Sequence, residues 1–160
     1  MTRSFQIAAA VLAVLCAGGS AVAQEIDGAW LLQKIDGHQL MASGPAITIR
    51  DGAIEGVTGC AAFGGSAVVH EGRLLLGEEA RPFLPADKQS RAVPLGMSQP
   101  RCGQQVRRRV QAAFMGVLMT RPKVSLAGRD LRLSASEGDV RTLEFERTSA
   151  PKPPRVKPNR

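Results

Sequence analysis

Glycine turns set between segments of alternating apolar and polar residues constrain this chain more than any other feature. Asp36-Gly37 follows AWLLQKI (29–35), and Asp51-Gly52 carries AITIR (46–50) back into AIEGV. Glu71-Gly72 divides SAVVHEGRLLLG (66–77), and Gly128 sits in the turn of KVSLAGRDLRLSA (123–135). An X-Gly pair supplies the positive φ of a tight hairpin. Alternation with a period of two marks strands that bury one face. In VRTLEFER (140–147), Leu143 and Phe145 fall on one face, with Glu144 and Glu146 on the other. That is the pattern of a sheet with one wet side. The chain reads as mainly β within the α+β class: a curved antiparallel sheet of about eight strands in hairpin order.

One segment breaks the period. In GQQVRRRVQAAFMGVLMTRP (103–122), Val106, Val110, Ala113, Phe114, Val117 and Leu118 recur at helical spacing and stop before Pro122. This predicts an amphipathic helix whose apolar stripe covers an open end or one face of the sheet. Arg107, Arg108 and Arg109 fall largely away from that stripe and read as a solvated face rather than a nucleic-acid contact. Between sheet and helix, GEEARPFLPADKQSRAVPLGMSQPRC (77–102) carries four prolines and little periodicity. It reads as a long loop with a short strand near 82–84.

The two ends differ from this middle. Arg3, the short apolar run 7–17 and Ala21-Val22-Ala23 form the pattern of a secretory signal peptide cut after Ala23. The apolar run is shorter than the roughly 20 residues that span a bilayer. Leu15 before Cys16 does not suit lipoprotein processing, which wants a small residue there. The expected mature protein is periplasmic or secreted, with a single domain at 24–148 and no transmembrane segment. At the other end, APKPPRVKPNR (150–160) contributes Lys152, Arg155, Lys157 and Arg160 without an acid, whereas residues 24–148 hold 16 Lys and Arg against 14 Asp and Glu. Segment 149–160 therefore reads as a disordered basic tail, either solubilising or attracted to anionic envelope surfaces.

The stretch GVTGCAAFGG (56–65) looks the most chemically committed. It lacks the Lys-Ser/Thr ending of a phosphate loop and opens no helix, so it is neither that loop nor a nucleophile elbow. It fits a strand entering a tight turn, with glycines where positive φ or close backbone approach is required. Cys60 and Cys102 are the two cysteines of the mature chain, and an even count in an oxidising compartment favours a disulfide between them. A nucleophilic Cys60 needs a nearby base, and the two histidines, His38 and His70, carry no ligand or triad spacing. No metal, cofactor or catalytic residue is expected. The acids Glu55, Glu78, Glu79 and Asp87 read as solvating groups beside turns.

The order of these pieces resembles the META domain family, whose members include the HslJ-like heat-shock proteins of bacterial envelopes. The likeness runs over about 28–147. It rests on Trp30-Leu31-Leu32, Ile47-Thr48-Ile49, GVTGC (56–60), Gly64-Gly65-Ser66 and GRLLLG (72–77). It continues through Met97 and Cys102, the helix with Phe114 and Leu118, and LRLSASEGDVRTLEFER (131–147). Ala61 stands where the family usually carries Asn, and Ala67 where an aromatic is common, as in a divergent member. The resemblance implies an incomplete lipocalin-like β-barrel with one helix, a surface or secreted location, and a link to heat shock or novobiocin resistance. It carries over no catalytic residues. The function expected is that of a non-enzymatic, stress-related binding or interaction module facing an envelope partner. The alternative is a small-ligand binder whose barrel mouth is lined by Trp30, Phe63 and Phe83.

Overall fold

The computed structural model describes residues 26–40, 44–98 and 102–148. Eight antiparallel strands form its wall: β1 (Gly28–Ile35), β3 (Ala46–Arg50), β4 (Ala53–Val57), β5 (Ala62–His70), β6 (Arg73–Leu76), β8 (Lys123–Ala127), β9 (Asp130–Ser134) and β10 (Thr142–Thr148). Two-residue strands β2 (His38–Gln39) and β7 (Gly96–Met97) attach to β1 and β5. Each wall strand pairs with the next, and β10 returns to pair with β1, so the sheet closes into a barrel. Closure removes the free edges that an open sheet would expose.

The turns behave as their sequences require. Asp36, Asp51 and Glu71 adopt positive φ together with the glycines that follow them, the mark of the two-residue hairpin turn. Alternation then sorts the side chains. Trp30 and Leu32, Ile47 and Ile49, Ile54, Phe63 and Ala67, Leu74 and Leu76, Val124, Leu131 and Leu133, and Leu143 and Phe145 all point into one core. Their intervening neighbours Thr48, Glu55, Arg73, Arg132 and Glu144 are exposed or half-buried.

The expected helix forms as α2 (Gln105–Leu118), after a short α1 (Ala86–Gln89). Phe114, Val117 and Leu118 are buried in the barrel core, and the Phe114 ring lies 5.8 Å from that of Phe63 and 6.2 Å from that of Phe145. The predicted stripe holds only in the second half. Val106 is 72% exposed, because the first helical turn lies outside the core, where the Arg108 Nε–H donates to the Cys102 carbonyl at 2.8 Å.

Segment 77–98 also departs from expectation. Residues 81–83 form a 3-10 turn rather than a strand, with Pro82 in its first positions, and α1 follows. From Val93 onward the segment becomes part of the wall. On β5, β6 covers only Ala67–His70, leaving the first half of that strand without a neighbour on that side. Residues 93–98 fill the gap: the Ser66 N–H donates to the Val93 carbonyl at 2.9 Å, and the Ser98 N–H to the Ala62 carbonyl at 2.9 Å.

Candidate functional site

The glycine-rich stretch is shaped by this close packing. Gly59 turns at φ +83. A Cβ on Gly65 would stand 2.9 Å from the Cα of Leu95, and one on Gly56 would stand 2.5 Å from the Ala46 carbonyl oxygen. Thr58 anchors the turn: its Oγ1 accepts the Ala61 N–H at 3.0 Å and lies 3.2 Å from Oε1 of Gln111 on α2. Cys60 is bonded to Cys102 with S–S 2.08 Å. Both sulfurs are consumed, so the stretch is a cross-linked corner between sheet and helix rather than a nucleophile loop.

The three aromatics expected to line a barrel mouth are not assembled into one cavity. Trp30 is fully buried and donates its indole N–H to the Ile26 carbonyl at 2.9 Å. Phe63 is buried in the same core against Phe114. Phe83 lies outside the barrel, 44% exposed, with its ring stacked 3.8 Å from that of His70. The interior is filled by side chains, as the width of an eight-stranded barrel allows. Lys152, Arg155, Lys157, Arg160 and the leader expected to end at Ala23 lie outside the described residues.

One concave feature lies on the outer wall. A cleft of about 520 Å³ runs between the outward faces of β3, β4 and β5 and the segment 84–93. Thr48 and Arg50 come from β3, Ala53 and Glu55 from β4, and Gly64 and Ser66 from β5. The opposite side is held in place at several points. Leu84 is buried, and the Lys88 ammonium donates to the Asp51 carbonyl at 2.8 Å. The Val93 N–H donates to Ser66 Oγ at 2.8 Å. Sequence reading missed this site because it joins outward strand positions to a loop without periodicity. Its one legible signal was the length of that loop.

A second depression, of about 540 Å³, lies beside the disulfide and is lined by Met97, Met115, Gln111 and Arg108. Two carboxyls are displaced from their ordinary values, and both serve structure. Burial pushes the Asp36 carboxyl up, but hydrogen bonds from the Arg141 and Thr142 N–H groups and the Thr142 hydroxyl outweigh it, so the net shift is downward. The hydrogen bonds from Arg121 draw Glu79 down, with contacts at 2.6 and 2.9 Å. Both carboxyls are held ionised, which suits anchors rather than proton donors. Among the described residues no three His, Cys, Asp or Glu side chains gather as a metal site. No helix there is long and apolar enough to cross a membrane.

No protein-family model matches the chain, and no curated protein matches it. Two solved structures are similar in fold. One, an NMR structure, is 18% identical, with a TM-score of 0.53 over 74% of this chain and 87% of the other. The second, an NMR structure of a protein from Burkholderia xenovorans, is 19% identical, with a TM-score of 0.54 over 92% of this chain and 99% of the other. At these identities the likeness concerns the fold alone.

Proposed function

We propose that this protein is an exported, non-enzymatic binding or interaction module of the envelope, a divergent META-like domain with a stress-related role. The observation that carries this reading is the filled barrel. With Trp30, Leu32, Phe114, Leu131 and Phe145 each at most 1% exposed, recognition falls to the outer wall and loops rather than to an internal ligand chamber. A rigid scaffold that presents loops is a common basis for recognition.

The disulfide supports the exported half of the reading, because such bonds persist in oxidising compartments. The periplasm or the exterior, reached by cleavage near Ala23, follows from the leader pattern. The basic residues Lys152, Arg155, Lys157 and Arg160 add attraction to anionic envelope surfaces. The small-ligand alternative loses the mouth that Trp30, Phe63 and Phe83 would have formed.

Affinity capture from envelope extract tests the reading, comparing chain 24–160, the form lacking 149–160, and Cys60→Ser. A protein partner that the tail-deleted form retains, and that binds it saturably once purified, supports an interaction module. Capture of only anionic lipid or polymer, abolished by salt and by tail deletion, contradicts it.

A further inference from the structure

We propose that the outer-wall cleft between β3–β4–β5 and segment 84–93 binds a small amphiphile: a carboxylate head on an apolar body. Its volume of about 520 Å³ falls within the range of about 300–1,000 Å³ usual for small-molecule sites. Ala53, Leu84 and Val93 give it apolar walls, and the absence of a side chain at Gly64 keeps its floor open.

The charges around it are unevenly committed. Lys88 is held by Asp51, through its carbonyl at 2.8 Å and its carboxylate at 3.9 Å. Arg50 and Arg91 also line the cleft, and neither has a side-chain hydrogen bond or ion pair among the described residues. Of the two acids that line the cleft, Asp51 faces Lys88, and Glu55 has no side-chain hydrogen bond or ion pair among the described residues. The free charge is therefore two guanidinium groups against one carboxylate, an excess that favours an anion. Guanidinium forks suit a carboxylate in particular.

The site is also preformed. The Ser66 and Val93 hydrogen bonds and the buried Leu84 fix the loop side, so little ordering is required on binding. This inference does not rest on the interaction-module reading. An envelope protein can be captured whether or not the cleft takes a carboxylate, and the reverse also holds.

An amide NMR titration of chain 24–160 with octanoate, and separately with octan-1-ol, tests it. Octanoate is expected to give saturable shifts centred on Gly52, Ala53, Gly64, Ser66 and Val93, and octan-1-ol weaker ones. Arg50→Ala with Arg91→Ala should weaken octanoate by about tenfold, and Glu55→Gln should tighten it by about threefold, the range of partly exposed charge contacts. Gly64→Ala should narrow the floor and weaken octanoate while leaving the fold intact, because the added Cβ meets nothing closer than 3.4 Å. Equal response to octanoate and octan-1-ol, shifts centred on Met97 and Met115, or indifference to all three variants would each overturn the proposal.

Discussion

Arg147 lies with its guanidinium carbon 4.5 Å from the centroid of the Trp30 ring, and the two residues are register partners across the β1–β10 seam. The contact therefore sits where the barrel closes on itself. A cation over an indole in a partly buried setting contributes about 1–2 kcal/mol. Arg147→Gln is expected to lower unfolding stability by about that amount in denaturant titration, and Trp30→Ala by about 3–5 kcal/mol through the cavity it leaves. A neutral Arg147→Gln would show that the seam is held by its backbone ladder alone.

The disulfide should stabilise the fold without serving chemistry. It closes a loop with a sequence separation of 42, for which chain entropy gives about 4 kcal/mol. Reduction, or Cys60→Ser with Cys102→Ser, should lower the melting temperature by many degrees. Equal melting of the oxidised and reduced protein would contradict this assignment.

Gly65→Ala should lift segment 93–98 from β5. The added Cβ would meet the Leu95 Cα at 2.9 Å and the Pro94 oxygen at 3.0 Å, both backbone atoms that move only with the chain. The expected cost is about 1–3 kcal/mol, with faster hydrogen exchange at the Ser66 and Ser98 amides. Gly64→Ala, where there is room, is the control and should be close to neutral.

Asp36 should contribute to the acid limb of the stability curve. Its folded pKa is lowered from an ordinary 3.8, so its contribution is present above that value and fades as pH falls through the lower folded value. Asp36→Asn should remove part of the stability loss below about pH 4 while tolerating the positive φ of the turn. An unchanged acid limb would show that the Arg141 and Thr142 hydrogen bonds do not hold the carboxylate.

Much of this fold was legible because its rules are local. Asp51-Gly52 and Glu71-Gly72 dictate turns, and the alternation of Leu143 and Phe145 dictates a face. The same parity continues to Arg147, whose charge hides its inward position, so the seam contact with Trp30 could be read only once β10 had been placed beside β1. Phe83 looked like pocket lining from its residue type, but it lies on a 3-10 turn outside the wall, where it stacks on His70. The approach of Leu95 to Gly65 and Gly77 depends on three separate stretches of chain meeting. The outer cleft was hidden for the same reason: Arg50, Glu55 and Arg91 look like ordinary solvated charges until the loop closes over the strands.

An amide chemical-shift map would locate recognition on the outside of the filled barrel. The envelope protein retained by the chain lacking 149–160 would be purified and titrated into that chain. Saturable shifts are expected on outward positions such as Thr48, Glu55 and Ser66 and on loop 84–93, with the amides of Leu32 and Leu131 unmoved. Shifts centred on those inward strand positions, or no protein retained by the folded domain, would contradict this reading.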